Sequence, residues 1–470
     1  MDEVEKEFEI SYTFTFPQDM LYLIKNFLDK HFSIKEEYVE VLDKNNVRSR
    51  IFIDGTIKSV KKSVVESGRC VVPLVDGFVP MIERECDEKI YHERDEKIKR
   101  ICKTRVYQRT NELDNAEIKF EHIYYEYSEG DFLDPLTANK QIALYNLLKP
   151  TEEINTTNNS HLGSDEILCN CRVEFEYDKR PEQNKLIRLA ELIQYIEYNL
   201  LVDTEIQPFL SHTNIFNEIM YRSFTEERLI TDNCSDVVLW ALKLDGTRGK
   251  GYVVNDNTLF IQLDDMQMFS NVLEPILKND SDTGSKKCFE KIFGSYATSP
   301  VRFSSNRLLG VQVEYVCSTK TFYVTDVLNV YKYTYDNKNQ FDVSAPYHVN
   351  IYDAMNFMTT SCRKEFKYGD YIVKFQRFYP CRKDVEEIDL NDGYIGLLQE
   401  GDIVKIKHCK SFEMKYMGKS EFISTTGVFK TDNCIGLEIG SIYEVKMSQP
   451  DENKVCVIKK RPDRLLFNCT

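Results

Sequence analysis

Apolar and polar residues alternate with a period of two along "EFEISYTFTF" (7–16), which predicts a strand with one buried and one polar face. In "PQDMLYLIKNFLDKHF" the apolar positions recur at helical spacing, and Pro17 suits the first turn of such a helix. From 36 to 130 short alternating stretches follow one another, among them "RSRIFI", "KTRVYQR" and "EIKFEHIYYEY". "LTANKQIALYNLLK" has a helical pattern, and the polar "TEEINTTNNSHLGSDE" reads as a loop. "NCRVEFEYD" is a further strand, followed by a long helix from Pro181 to about Leu201. A boundary is expected near 205, with "FTEERLITDNCSD" as connector. A second strand-rich unit then runs from "VVLWALKLDG" to about 410, interrupted by the polar "LKNDSDTGSKKC". Residues 411–470 have the length and strand spacing of a small β-barrel.

Composition narrows this picture. A chain of 470 residues predicts two or three domains, and 28 Tyr and 28 Phe against one Trp favour β-rich layers. The net charge of −15 argues against a broad nucleic-acid-binding surface, though it leaves room for a narrow cationic pocket that grips one phosphate group. No stretch approaches 18 consecutive apolar residues, so no membrane span is expected, and the acidic start "MDEVEKEFEISYTF" does not read as a signal peptide. The 14 cysteines include one C-x-C (Cys169, Cys171) and no C-x-x-C, and there are only 7 histidines. Structural zinc therefore has little support, and reduced, mostly buried thiols are expected.

The densest chemistry lies in "LKLDGTRGKGYV", where a strand delivers Lys243 to an Asp245-Gly246 turn with Arg248 and Lys250 just beyond. A lysine attacks phosphorus only as the free amine. One cation about 6 Å away, at an effective dielectric of about 20, favours that form by roughly 2 pKa units. Further cations come later in the chain. "DIVKIKHCK" puts Lys405 and Lys407 on one face of a strand, and "VIKKRPDRLLFN" clusters Lys459, Lys460, Arg461, Asp463 and Arg464. "NDGYIG" supplies Asp392, "VQVEYV" Glu314 and "TFYVTDVLNV" Asp326.

The order Lys-x-Asp-Gly, strand glutamate, Asp-Gly, Lys-x-Lys and basic tail resembles the covalent nucleotidyltransferases, which comprise mRNA capping guanylyltransferases and nucleotide-dependent ligases. "KKRPDRLLFN" is similar to the capping-enzyme form of the last motif, with Lys459 in place of its first Arg, Arg464 of its Lys and Phe467 of its Pro. That resemblance implies Lys243 as the nucleophile that takes GMP from GTP, and Arg248 and Glu314 as ribose contacts. Asp392 would help to hold a metal, and Lys405 and Lys407 the α-phosphate. Lys459, Arg461, Asp463 and Arg464 would form the GTP-binding tail that orients pyrophosphate. Glu314 lacks the Asp-Gly that often precedes it, and Phe322 is a guanine-stacking candidate or plain core.

"EFE" occurs at Glu7-Phe8-Glu9 and again at Glu174-Phe175-Glu176. In a strand each pair aims both carboxylates to one face, and four converging in a barrel would call for a divalent cation. The plain alternative is a pair of solvated faces. Cations recur at the same period between the two tripeptides: Arg48 and Arg50, Lys103 and Arg105, Lys119, and Arg172. The ensemble resembles the triphosphate tunnel metalloenzymes, in which paired glutamates hold Mg²⁺ or Mn²⁺ and basic residues clamp the triphosphate. A further tunnel glutamate is expected among Glu85, Glu88, Glu117 and Glu121.

The fold these resemblances imply is α+β: an N-terminal antiparallel β tunnel with flanking helices (1–205), a nucleotidyltransferase domain (206–410), then an OB-type barrel (411–470). A tunnel triphosphatase preceding a guanylyltransferase resembles the baculovirus family of capping subunits of the late RNA polymerase. Membership implies a 5′-triphosphate RNA end and GTP as substrates, other polymerase subunits as partners, no membrane, and the nucleus of an infected cell as location. Two other readings stay open: an ATP-dependent polynucleotide ligase, and a non-catalytic structural polymerase subunit.

Overall fold

The computed structural model describes residues 4–16, 18–74, 77–91, 98–108, 116–126, 168–178, 181–199, 212–254, 258–276, 307–335, 341–361, 365–385, 391–449, 453–462, 464 and 466. The predicted helix "LTANKQIALYNLLK" and the polar stretches after it and at 277–288 lie outside these residues.

The first unit is a closed antiparallel barrel of strands β1 (Val4–Thr13), β2 (Ser33–Asp43), β3 (Val47–Phe52), β4 (Ile57–Leu74), β5 (Gly77–Ile90), β6 (Ile98–Gln108), β7 (Ala116–Glu126) and β8 (Leu168–Tyr177). Around the barrel they run β1-β5-β4-β3-β2-β6-β7-β8. Helices α1 (Gln18–His31) and α2 (Gln183–Asn199) cover its outside. The apolar face of β1 points outward: Ile10 and Tyr12, with Phe14 just beyond the strand, pack with Leu21, Ile24 and Leu28 of α1 and Leu189, Ile193 and Ile196 of α2. With the hydrophobic core lying outside the barrel, the other side-chain set is left to line the lumen, and that set is charged.

The second unit packs two sheets face to face. One holds Val237–Leu244, Asn391–Leu398, Ile403–Lys407 and Phe224–Leu229 in that order. The expected connector "FTEERLITDNCSD" therefore begins as an edge strand of this sheet, parallel to Ile403–Lys407. Such a pairing is invisible locally, because its partner lies far along the chain. The larger sheet is built around Thr247–Val254, Arg307–Val316 and Thr321–Tyr335. Apolar residues of both sheets and of the helix Ile351–Ser361 fuse into one core. Beyond residue 410, five strands (Ser411–Gly418, Glu421–Ser424, Gly427–Lys430, Ile442–Gln449, Lys454–Lys460) close a small barrel.

A buried seam joins the first two units. Glu197 of α2, 1% exposed, accepts from the Tyr12 hydroxyl and from Arg307, whose Nη1 also donates to the Phe78 carbonyl at 2.8 Å. Lys332 donates to the Thr13 carbonyl at 2.5 Å, lies 3.8 Å from the Tyr12 ring centre, and is pushed down to about 7 by burial. Phe78 completes the seam by packing on Phe357, ring centres 5.1 Å apart.

Candidate active sites

Register decides which charges meet in the lumen. Glu9 stands opposite Glu176 on β8 and Arg84 on β5, Ser11 opposite Glu174, and Glu174 in turn opposite Glu117 on β7. Following the two-residue period around the barrel puts Glu7, Glu9, Arg48, Arg50, Lys119, Arg172, Glu174 and Glu176 on the inner side. The solvated-face alternative fails for Glu9 and Glu174, which are 3% and 8% exposed.

Glu174 contacts Lys119 at 2.5 Å and Arg172, and Arg172 also reaches Glu121 at 2.9 Å. Burial alone would raise the Glu174 carboxyl, but the charges of Arg172 and Lys119 outweigh it and hold the group far below the usual carboxylate range. Arg50 lies 3.7 Å from Glu40, and its Nε is shielded from solvent without a hydrogen-bond partner. A donor in that state suits an anionic oxygen entering the lumen.

Lys103 and Arg105 do not belong to this set, which corrects the expectation drawn from their spacing. They pair outside the barrel with Glu37 (2.5 and 2.8 Å), and Arg105 also with Asp29 of α1 (3.0 Å). The lumen side of β6 belongs to the other parity, Arg100, Cys102 and Thr104, and Arg100 bonds Glu121 at 2.8 Å. Of the four candidate extra glutamates, Glu85 faces outward to Lys6 (2.7 Å), and Glu121 sits among Arg100, Arg172 and Asn170. Glu117 is held by Lys35 (2.6 Å) and Lys119 (3.3 Å). Glu88 is the one that joins Glu7.

Glu7, Glu88 and Glu176 crowd together. Burial and Glu7's proximity push Glu88 up to about 7. Solvent reaches Glu176, yet desolvation by the barrel wall and the charge of Glu7 push it up to about 7 as well. Glu7 Oε2 is buried and accepts no well-directed hydrogen bond, although Lys62 Nζ lies 2.9 Å away. Three hard carboxylate donors drawn together, two of them shifted upward by burial and by the charge of Glu7, fit a divalent cation. Lys62 and Arg84, each 2.8 Å from Glu9, were not singled out from the sequence. Only the pairing of β1, β4 and β5 reveals them.

The second centre lies where the end of the strand bearing Lys243 meets Glu314 of the larger sheet. Lys243 ends its strand half-buried, and its charge acts on both Lys405 and Glu314. Burial first, then Lys243 and Lys407, depress the Lys405 amine. Burial pushes Glu314 up to about 7, opposed by Lys243 and by the Gly246 N–H, which donates to it at 3.1 Å. Glu314 stands opposite Arg248, whose Nε bonds Asp264 at 2.9 Å and whose guanidinium lies 4.1 Å from the Tyr221 ring centre. Lys250 instead donates to the Phe216 carbonyl at 3.0 Å.

Glycine is demanded at two positions. A Cβ at Gly246 would sit 2.4 Å from the Tyr315 carbonyl oxygen, and one at Gly393 (φ +107°) would sit 2.2 Å from that of Ile406. These close approaches bring the Lys243 turn under Glu314 and the strand bearing Asp392 onto that of Lys405. The backbone of Asp392 lies near Lys243, since Asn391 pairs with Leu244 and Tyr394 with Leu242. Its side chain, and Asp463 altogether, fall outside the described residues.

The C-terminal barrel contacts this centre. Lys459 contacts Asp245 beside the nucleophile candidate. Glu444, 5% exposed and not anticipated from the sequence, gathers Lys459 (3.8 Å), Arg461 (3.6 Å) and Lys407 (3.9 Å). Lys407 also meets Glu227 at 3.3 Å, and Arg461 and Arg464 reach Glu413 at 2.9 and 3.2 Å. Phe322 is core: it is fully buried among Phe269, Tyr315, Tyr368 and Tyr371, whereas Tyr323 pairs with Glu314. Asp326 is buried against Arg222 (2.8 Å).

The late expression factor 4 (LEF-4) family model matches residues 7–468. The mRNA capping enzyme LEF-4 of Autographa californica nuclear polyhedrosis virus is 31% identical over 494 residues, covering 98% of each chain. That of Orgyia pseudotsugata multicapsid polyhedrosis virus is 29% identical over 483 residues, covering 98% of this chain and 97% of its own. The solved Mimivirus capping enzyme triphosphatase covers 41% of this chain and 88% of its own at 10% identity, with a TM-score of 0.23, a superposition too loose to carry any argument. A match that runs from the first glutamate pair past the lysine turn to the basic tail places this chain in the LEF-4 family.

Proposed function

We propose that the chain is a bifunctional mRNA capping enzyme, with a 5′-triphosphatase in 1–205, a guanylyltransferase in 206–410 and an OB-type lid in 411–470. The observation that carries this reading is the presence of two charge-organised centres in one LEF-4 family chain: a glutamate-lined closed barrel, and a Lys243-Asp-Gly turn held to Glu314 through the Gly246 N–H, with Lys405 and Lys459 beside it.

In the tunnel, Glu7, Glu9, Glu88, Glu174 and Glu176 are the residues that would hold Mg²⁺ or Mn²⁺, which supplies charge neutralisation at the γ-phosphate and favours attack by water. Arg48, Arg50, Lys119 and Arg172 bind the phosphate chain, and Glu174 fixes Lys119 and Arg172 in place. At the second centre, the Lys243 amine attacks the α-phosphorus of GTP and forms an N–P bond as the bond to pyrophosphate breaks. The diphosphate RNA end then takes GMP from the lysine. Lys405 and Lys407 neutralise the α-phosphate, Arg248 and Glu314 hold the ribose, and Lys459, Arg461 and Arg464 align the departing pyrophosphate, with Asp463 part of the same GTP-binding tail. Asp392 is assigned to metal positioning. Phosphoryl transfer of this kind depends on alignment and electrostatics more than on covalent assistance.

The chain acts in this reading as a subunit of a viral late RNA polymerase in the nucleus of the infected cell. The polymerase then delivers the RNA end, which suits a net charge of −15. Incubation with α-labelled GTP or ATP tests the proposal. Labelling by GTP on Lys243, lost in Lys243→Ala while γ-phosphate release persists, is expected. Labelling by ATP would indicate a ligase, and absence of both activities a structural subunit.

A further inference from the structure

The Lys62 ammonium sits in the middle of the tunnel's carboxylate cluster: 2.9 Å from Glu7, 2.8 Å from Glu9 and 4.0 Å from Glu88. Its side chain is 15% exposed. Register explains the approach. Lys62 lies opposite Glu88 across β4 and β5, and β5 in turn carries β1 with its glutamates. Arg84, the other cation nearby, touches Glu9 alone among these carboxylates and is 35% exposed. Lys62 therefore supplies, within the chain, the positive charge that a divalent cation would bring to the same oxygens.

Two cations cannot share those oxygens at hydrogen-bond or coordination distance without strong mutual repulsion. A metal that takes Glu7, Glu9 and Glu88 must turn the ammonium away from them, and a side chain with four rotatable bonds can swing along the lumen. The groups on which it can then settle are anionic oxygens entering the barrel.

We propose that Lys62 is an exchangeable internal counter-ion: it neutralises the glutamate cluster in the metal-free enzyme, is displaced when the divalent cation binds, and is then taken up by the triphosphate. The inference rests on the triphosphatase reading. It implies a positive coupling, since a triphosphate that draws Lys62 away frees the carboxylates for metal, and metal binding releases Lys62 for phosphate. Removing the ammonium removes a competitor, so metal binds more tightly while the coupling to triphosphate is lost.

The test uses the full chain and two readouts that need no turnover. Mn²⁺ affinity is measured by calorimetry for wild type, Lys62→Met and Lys62→Arg. Lys62→Met is expected to bind about tenfold more tightly, the scale of one lost charge-assisted hydrogen bond, and Lys62→Arg within about threefold of wild type. Acetylation of wild-type Lys62 is followed in parallel by mass spectrometry. It should rise at least severalfold when Ca²⁺ or Mn²⁺ is added, and fall again with inorganic tripolyphosphate in the presence of Ca²⁺. If wild type binds Mn²⁺ but Lys62 reactivity does not increase, or if Lys62→Met binds no tighter, the counter-ion proposal is overturned and the triphosphatase reading stands. If wild type binds no divalent cation, the triphosphatase reading itself falls. The wild-type footprint keeps the proposal falsifiable even if Lys62→Met does not fold.

Discussion

Glu174→Gln isolates the charge that organises the tunnel floor. The carboxylate is 8% exposed and compensates Lys119, itself 2% exposed, and Arg172. Removing one partner of a buried pair typically costs about 3–5 kcal/mol. Here each cation keeps a second partner, Lys119 with Glu117 at 3.3 Å and Arg172 with Glu121 at 2.9 Å. The expected loss is therefore nearer about 2–3 kcal/mol at pH 7, which lowers the unfolding temperature of a unit this size by roughly 5–10 °C. The pH dependence carries the sign. Because the folded carboxyl titrates well below its unfolded value of about 4.3, its stabilisation is complete above that value and disappears as pH falls through the folded one. Thermal unfolding followed by circular dichroism without divalent cations, from pH 7 down to pH 3, should show the gap between variant and wild type narrowing below about pH 4. Phosphate release should be abolished and GTP labelling retained. A variant as stable as wild type at pH 7, or a gap that widens in acid, would refute the argument.

Other substitutions probe different contacts. The double variant Lys103→Ala, Arg105→Ala should keep phosphate release within about twofold, since both side chains pair outside the barrel at a cost of roughly 1 kcal/mol each; Arg50→Ala should lower it at least about tenfold in the same assay. Gly393→Ala meets both a left-handed φ and a 2.2 Å clash, so a loss of more than about 2 kcal/mol and of GTP labelling is expected by denaturation and autoradiography. Glu314 is pushed up to about 7, so its burial disfavours folding increasingly as pH rises from its unfolded value to about 7, and the penalty levels off above that. Glu314→Gln should accordingly unfold at a higher temperature than wild type at pH 8 and match it near pH 4, while GMP transfer falls.

The sequence made the strand periods and the lysine turn legible because both are local. "EFEISYTFTF" and "NCRVEFEYD" alternate cleanly, and the two glutamate pairs do meet across one barrel seam. Parity was beyond it. Nothing in "RICKTRVYQR" (100–109) says whether Lys103 and Arg105 or Arg100 and Thr104 face inward, because both sets alternate equally well and only pairing with β2 and β7 decides. Lys62, Arg84 and Glu444 were missed for a related reason. Each is one charge among 137, distinguished only by partners brought near through non-local pairing. Phe224–Leu229 passed for a connector because a parallel edge strand leaves no hairpin signal.

The seam through Tyr12, Glu197, Arg307 and Lys332 has a consequence for traffic between the two centres. Strand β1 carries Glu7 and Glu9 at one end and Tyr12 at the other, while Arg307 opens the strand that carries Glu314. Both charge-organised centres are thus bolted to a common chassis, and neither unit can swivel toward its neighbour without exposing unmatched charge. On the proposed capping reading, an RNA terminus trimmed at the first centre must cover the gap by its own slack or by letting go and being recaptured. The C-terminal barrel is fastened separately, through the Lys459–Asp245 and Lys407–Glu444 pairs.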